Sequence, residues 1–140
     1  MAPTEKQAVR QFWDAAPCGT RHTNHAEGSL SYFQTIAESR YRLEPFIFRY
    51  AQFERHAGKK VLEVGCGVGT DLVQFARAGA DVVGIDLSSR SASLARTGLQ
   101  VHGCQVQVAI ADAENLPFKN SQFDLVYSWG VLHHTPDPEK

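Results

Sequence analysis

The chain has 140 residues, of which 43% are hydrophobic and 21% are charged, and its formal net charge is −1. These values are typical of one globular domain, and a chain of this length buries roughly two-thirds of its unfolded surface without disulfides or metals. A near-neutral charge gives no electrostatic reason to expect nucleic acid or an anionic membrane as the main partner.

The three cysteines, Cys18, Cys66 and Cys104, are far apart and lack C-x-x-C spacing. Their odd number argues against a disulfide framework or a zinc site and favours reduced thiols, as in the cytoplasm. The N-terminus lacks the apolar core of a signal peptide, and no apolar run approaches the length that spans a membrane. We therefore expect a soluble, cytoplasmic protein.

Residues 1–58 show helical spacing around Val9 to Trp13 and again from residue 30 to residue 53. Pro45 is expected to divide the second region into two helices, because a proline inside a helix removes a hydrogen bond and clashes. The density of aromatic residues in this segment fits a helical layer packed on a sheet. It also fits a lid that closes over a bound small molecule, and both interpretations can hold for different faces.

From residue 59 onward, apolar strand patterns alternate with helical ones. Strands are predicted at 61–64, 82–86, 105–110 and 123–127, and helices at 71–78 and after an N-cap at Ser88 or Ser89. Strands separated by helices form a parallel sheet that is covered on both faces. The fourth strand is too apolar for an exposed edge, and residues 135–139 have the pattern of a helix start, so we expect a piece of a longer protein.

A glycine-rich turn follows the first strand, where Gly65, Gly67 and Gly69 alternate with Cys66 and Val68. Glycines let the backbone turn tightly and let a ligand approach the main chain closely. Free amides at the start of the following helix are expected to face that ligand, although a tight connection that binds nothing has the same pattern. Cys66 is expected to be a small neutral filler between two glycines.

Carboxylates follow the predicted strand ends, which is where an open parallel sheet binds its ligands. Asp86 ends the second strand, at the spacing from which a carboxylate reaches ribose hydroxyls, and Asp112 closes the third, within reach of an exocyclic amine. Asp86 could instead cap a helix, and Asp112 could be a turn residue. Together with Glu63 and Asp71, these acids favour a ligand with hydroxyls, amines and a positive centre.

A dinucleotide site would require G-x-G-x-x-G, and Thr70 stands at the sixth position of that pattern. The chain instead resembles class I S-adenosylmethionine-dependent methyltransferases, in the version found in the type 11 small-molecule group. The resemblance extends over about residues 60 to 137 and rests on four ordered motifs, at 61–69, 84–88, 112–118 and 123–126.

The resemblance implies an α/β, Rossmann-like parallel sheet in which this chain holds the first four of seven strands, in the order 3-2-1-4. It further implies an N-terminal helical cap or lid over residues 1–58 and a partial S-adenosylmethionine-binding domain over residues 59–140. The residues implied to contact the cofactor are Glu63, Gly65, Cys66 and Gly67 at the methionine end, Asp86 on the ribose, Leu87, Asp112 and Ala113 around the adenine, and the carbonyl of Ser128 on the methionine amino group.

Residues 128–134 lie where a methyl acceptor would approach. His133 or His134 could deprotonate a hydroxyl, since imidazole titrates near neutral pH, but adjacent residues do not face one point, so at most one is expected to serve. Each could equally be solvated or cap the core. Gly130 and His133 stand where the similar quinone O-methyltransferases carry acids, so no metal site is expected.

We therefore predict the cofactor-binding part of an S-adenosylmethionine-dependent methyltransferase that acts on a small-molecule acceptor by O-, C- or N-methylation. The residues after the fourth strand differ from the motif of enzymes that methylate base amino groups, which argues against nucleic acid as the acceptor. Two other functions remain, a binding-only or inactive methyltransferase-like domain and an NAD-dependent oxidoreductase. The sequence pattern specifies no oligomeric state.

Overall fold

The computed structural model describes residues 4–139 and shows an α/β fold around a four-stranded parallel sheet. The strand order is β3-β2-β1-β4, which confirms the predicted order 3-2-1-4. The strands are β1 (Lys60–Val64), β2 (Asp81–Asp86), β3 (Gln107–Ile110) and β4 (Leu125–Tyr127). The helices are α1 (Glu5–Ala15), α2 (Leu30–Leu43), α3 (Ile47–Ala51), α4 (Thr70–Arg77) and α5 (Ser89–Val101), with 3₁₀ turns at Thr20–His22, Phe53–His56 and Leu132–His134.

The fourth strand begins two residues later than the pattern predicts, at Leu125. The reason is a side chain: the carboxylate of Asp124 accepts a hydrogen bond from the backbone N–H of Lys60 at 2.8 Å, where a strand carbonyl would otherwise pair. The third strand also begins two residues later than predicted, at Gln107 rather than at residue 105.

Capping contacts set the ends of two other elements. Ser88 is the N-cap of α5, because its hydroxyl accepts a hydrogen bond from the backbone N–H of Ser91 at 3.0 Å. The predicted helix start at Thr135 is not found within the described residues. The Thr135 hydroxyl instead donates back to the carbonyl of Leu132 at 2.7 Å and closes the last 3₁₀ turn.

The N-terminal helices pack on the sheet through an aromatic core. Phe75 of α4 is fully buried, and its ring lies 4.7 Å from that of Phe53 and 5.3 Å from that of Tyr127. Ile47 of α3 is also fully buried in this cluster, so part of the first 58 residues forms a packed layer.

Val126 on β4, which lies at one edge of the sheet, is 57% exposed. No helix within residues 4–139 is long and apolar enough to cross a membrane.

Candidate functional site

A cavity of about 390 Å³ lies beyond the carboxyl ends of the strands. Its walls come from the residues that follow β1, β2, β3 and β4, and from α1 and α2. Eight of the nine residues predicted to contact the cofactor line this one cavity: Glu63, Gly65, Cys66, Gly67, Asp86, Leu87, Asp112 and Ala113. The strand ends therefore bring together most of the predicted site, as parallel strands require.

Ser128 and His133, two of the predicted site residues, are not part of the cavity wall. The hydroxyl of Ser128 donates to the carbonyl of Val64 at 3.0 Å, and the neighbouring Trp129 lines the cavity in its place. His134 also lines the cavity, whereas His133 does not. The two imidazole rings lie 4.0 Å apart, and that of His134 meets the ring of Trp13 edge-on at 5.6 Å.

The backbone donors of the glycine loop are already used within the protein. The N–H groups of Gly65 and Cys66 donate to the carbonyl of Ile85 at 2.8 and 3.0 Å, and that of Gly67 donates to Oδ2 of Asp86 at 2.8 Å. These three residues precede the helix start at Thr70, to which the expectation of free amides applies. Amides that are engaged in this way are not available as donors to a phosphate.

Gly65 and Gly67 both have a backbone conformation that favours glycine, and Gly65 also has no space for a side chain. A Cβ atom on Gly65 would lie 2.3 Å from Cγ2 of Val131, which is far inside contact distance. A Cβ atom on Gly67 would meet nothing within 4 Å, although its φ of +54° disfavours side chains. Gly67 thus borders open space at the cavity wall.

Cys66 contributes to this loop in a different way from the glycines. Its side chain belongs to the buried core, and burial raises the pKa of the thiol well above its usual range. A thiol held protonated is a poor nucleophile. This environment supports the interpretation of Cys66 as a filler.

Asp86 is braced by the backbone and still has acceptor capacity for a ligand. Oδ2 accepts from Gly67, and Oδ1 accepts from the backbone N–H of Ser88 at 2.8 Å. A carboxylate offers roughly four lone-pair sites, so these two bonds leave room for hydroxyl donors. Burial raises the pKa of Asp86, while the two hydrogen bonds act in the opposite direction.

Asp71 lines the cavity as well, but its carboxylate is engaged by other side chains of the protein. Its side chain is 1% exposed and accepts hydrogen bonds from Arg40 at 2.8 Å, from the hydroxyl of Tyr41 at 2.8 Å and from that of Tyr127 at 2.9 Å. Burial by itself would lower the pKa of the Arg40 guanidinium. The charge and the hydrogen bond of Asp71 together outweigh burial, so the pKa is raised. The charge of Asp71 is therefore compensated within the protein by Arg40.

Two buried polar atoms at the cavity wall lack a hydrogen-bond partner among the described residues. They are Oε2 of Glu63 and Nε of Arg40, and both residues line the cavity. Glu63 is 4% exposed, and burial, together with the charges of Asp71 and Asp86, raises the pKa of its carboxyl well above the usual range. A buried acceptor without a partner costs free energy unless a ligand supplies the donor.

Sequence reasoning missed several residues that the N-terminal helices bring to the cavity. Lys6, Val9 and Trp13 of α1 line it, and Nζ of Lys6 lies 2.6 Å from both Oδ2 of Asp112 and Oε2 of Glu114. Residues at positions 6, 9 and 13 share one helix face, so the spacing already carried a signal for this stripe. Arg40 had no comparable signal, because its partners are far away in the sequence.

The rest of the cavity wall is mostly apolar, with side chains from α2 and from the segment after β4 that include Ile36, Leu43, Val131 and Trp129. The indole N–H of Trp129 donates to Oε1 of Glu44 at 3.1 Å, which fixes the ring at the wall. No group of three or more His, Cys, Asp or Glu side chains is arranged to hold a metal ion within residues 4–139.

Comparison with known proteins agrees with this geometry. The ubiquinone biosynthesis O-methyltransferase of Azoarcus sp. (strain BH72) is 44% identical over 84 residues, which are 59% of this chain and 36% of that protein. The structure of the N-terminal domain of EvdMO1 with S-adenosylhomocysteine bound is 32% identical over 64% of this chain and 39% of that one, with a TM-score of 0.56. Magnesium protoporphyrin IX methyltransferase (ChlM) from Synechocystis PCC 6803, at 23% identity, shares the fold over 99% of this chain and 67% of its own, with a TM-score of 0.69.

The chain spans about a third of the length of the first of these relatives. Residues 61–140, more than half of the chain, match the family model described as a methyltransferase domain. The chain therefore belongs to the methyltransferase domain family.

Proposed function

We propose that this chain is the cofactor-binding part of an S-adenosylmethionine-dependent methyltransferase whose acceptor is a small molecule. The observation that carries the proposal is the buried Glu63 oxygen without a partner at the cavity wall, beside an Asp86 carboxylate that the glycine loop holds in place. Both groups accept hydrogen bonds, and S-adenosylmethionine presents donors and positive charge.

The methionine end of the cofactor fits the two atoms that lack a partner, Oε2 of Glu63 and Nε of Arg40. An α-amino acid carries an ammonium group and a carboxylate on neighbouring atoms. Glu63 would accept from the ammonium group, and the guanidinium of Arg40, whose Nε is also unpaired, would donate to the carboxylate. A buried carboxyl oxygen and a guanidinium N–H that both lack a partner at one wall suit a zwitterion better than a neutral or singly charged ligand.

The nucleoside end fits the neighbouring strand ends. Asp86 would bind the vicinal ribose hydroxyls, Leu87 would pack on the adenine, and Asp112 with the Ala113 amide would read the adenine edge. S-adenosylmethionine lacks phosphates, so it does not need the amides of residues 65–67, which are engaged within the protein. A dinucleotide would find no phosphate donors at those three positions.

The bound cofactor supplies an activated methyl group, and the chain's own residues bind it, orient it and exclude water. The apolar wall around Val131 and Trp129 supports an apolar acceptor, for which His134 is the better placed candidate base of the two adjacent histidines. The relative from Azoarcus is named for O-methylation, which makes a hydroxyl the first acceptor group to test. The three free cysteines support a reducing, cytoplasmic location.

Isothermal titration calorimetry with S-adenosylhomocysteine and with NAD tests the proposal. We expect binding of S-adenosylhomocysteine and no binding of NAD at the same concentration. Binding of NAD alone would support an oxidoreductase, and binding of neither would remove the cofactor role. We further expect that the 140-residue chain alone binds the cofactor without turnover, and methyl transfer by it from radiolabelled S-adenosylmethionine to any small phenol would contradict this.

A further inference from the structure

Trp129, in the segment after β4, is held in a defined orientation at the cavity wall. Its indole N–H donates to Oε1 of Glu44 at 3.1 Å, and its ring lies 4.9 Å from that of Tyr50 and 5.5 Å from that of Phe46. These contacts bury the ring only in part. Trp129 therefore offers an aromatic surface that is oriented before a ligand binds.

The partner of the indole N–H makes this surface attractive to cations. The face of an aromatic ring carries partial negative charge and attracts a cation, most strongly when the ring is tryptophan. A carboxylate that accepts from the N–H group polarises the ring further in the same direction, and its own charge adds to the attraction. The pair of Glu44 and Trp129 is thus better suited to a cation than a tryptophan alone would be.

The charges around Glu44 do not cancel within this group of side chains. Oε2 of Glu44 lies 3.7 Å from Nη1 of Arg40, and Nη2 of the same guanidinium lies 2.8 Å from Oδ2 of Asp71. One cation therefore stands between two carboxylates, and a net negative charge remains. This excess favours a positively charged ligand group at the adjoining wall.

We propose that Trp129 binds the sulfonium group of S-adenosylmethionine through a cation–π contact and that Glu44 is the positioning residue for its ring. This inference rests on the proposed function, in which Arg40 donates to the carboxylate of the cofactor. Arg40 is connected to Trp129 through Glu44, and only a short methylene chain separates the sulfonium from that carboxylate. A cofactor anchored at Arg40 thus has its positive centre within reach of the indole.

The contact distinguishes the cofactor from its product. S-adenosylmethionine carries a sulfonium cation, whereas S-adenosylhomocysteine has a neutral thioether at the same position. Transfer of the methyl group therefore removes the charge that the ring attracts, and this contact holds the product less tightly than the cofactor. The consequence is a bias toward release of the product and rebinding of the cofactor.

Calorimetric titrations with the two ligands measure the contact as a preference, the Kd of S-adenosylhomocysteine divided by that of S-adenosylmethionine. In Trp129→Leu we expect this preference to fall about three- to tenfold relative to the wild type, and in Trp129→Phe it should fall less, because a ring face remains. A general loss of packing would weaken both ligands alike and leave the preference unchanged. Trp13→Leu, the matched control, removes the other indole of the wall and should leave the preference at its wild-type value.

The role of Glu44 is tested in a Trp13→Phe background, in which Trp129 is the only indole. Glu44→Leu removes the acceptor of the indole N–H, so the emission of Trp129 should shift and the ligand preference should fall. Glu44→Gln keeps an acceptor and should return the emission toward that of the background protein. Emission and preference that are both unchanged in Glu44→Leu overturn the positioning role.

The outcomes separate this inference from the proposed function. An equal preference in the wild type and in Trp129→Leu overturns the cation–π contact, while binding of both ligands still supports the cofactor role. A preference that falls as much in Trp13→Leu as in Trp129→Leu overturns the contact as well. Binding of neither ligand by the wild-type chain overturns the proposed function and this inference with it.

Discussion

The backbone N–H of Gly67 donates a hydrogen bond to Oδ2 of Asp86 across 2.8 Å and ties the loop after β1 to the end of β2. The amide of Ser88 fixes the other oxygen of the same carboxylate. Asp86 is therefore oriented before any ligand arrives, and little conformational freedom remains to be lost on binding. The glycine loop thus acts as a brace for a side chain and not as a ligand cradle built from free amides.

The substitution Gly67→Ala tests whether this loop borders the ligand. Its φ of +54° makes any side chain unfavourable, so we expect a loss of stability of about 1 kcal/mol in thermal unfolding. The added methyl group would occupy open space at the cavity wall, so affinity for S-adenosylhomocysteine should fall roughly tenfold or more, which is about 1.4 kcal/mol.

Gly58→Ala is the matched control for that substitution. Gly58 has a φ of +73° and equally open space around a Cβ atom, but it does not line the cavity. It should therefore show a similar loss of stability with unchanged affinity. Equal affinities in the two variants would place the ligand elsewhere.

The substitution Glu63→Gln is expected to stabilise the ligand-free protein at neutral pH. The pKa of Glu63 is raised in the folded protein, so the folded state binds a proton that the unfolded state releases, and stability falls as pH rises from the unfolded pKa through the folded one. A neutral amide removes that dependence. We expect a melting temperature a few degrees higher above pH 6, a gain of about 1 kcal/mol.

Thermal unfolding between pH 5 and pH 8 measures this effect. Glu54→Gln, which changes an exposed carboxylate on a 3₁₀ turn, serves as the control and should leave the profile unchanged. A Glu63→Gln variant that is less stable than wild type at every pH would show that the carboxylate has a hydrogen-bond partner in the ligand-free protein.

The pH dependence of cofactor binding has the opposite sign. Only the ionised form of Glu63 can accept a hydrogen bond from the ammonium group with full charge assistance, and the raised pKa leaves part of the free protein protonated at lower pH. Affinity for S-adenosylhomocysteine should therefore increase as pH rises through the raised pKa of Glu63. Calorimetric titrations at several pH values should show this slope in the wild-type chain and lose it in Glu63→Gln, and a slope that persists would assign it to another group.

Arg40→Met is expected to destabilise the fold strongly. It leaves the Asp71 carboxylate, which is 1% exposed, without its cation and with only two tyrosine hydroxyls as donors. Breaking a buried ion pair from one side costs about 3–5 kcal/mol, which urea unfolding measures.

Two variants calibrate that result. Arg49→Met removes an exposed arginine of α3 and should cost far less. Adding Asp71→Asn to Arg40→Met should recover part of the loss, because the unpaired charge disappears. Full additivity of the two substitutions would mean that the residues do not interact.

The sheet order followed from the family resemblance, while the gathering of Glu63, Asp86 and Asp112 at one edge followed from the residues, because the carboxyl ends of parallel strands meet at the same edge of the sheet. The sequence could not place Arg40 or Lys6, since contacts 31 and 106 residues apart depend on how helices pack and not on local spacing. The partners of Asp71 could not be placed for the same reason: an acid in the first turn of a helix is usually solvated, but α2 packs over this one.

The roles of individual residues toward the cofactor, the division at residue 58 and the choice of His134 as a base stay predictions. They depend on contacts with a bound ligand, whereas the packing of the chain specifies only which groups surround the cavity.

The two indoles of the molecule, Trp13 on α1 and Trp129 after β4, both line the cavity, and the sequence contains no other tryptophan. The intrinsic fluorescence of this protein therefore arises from the site itself. Any occupant that stacks on either ring or displaces α1 will change the emission without a label. Replacing one indole with phenylalanine would then distinguish changes at α1 from changes at the segment after β4.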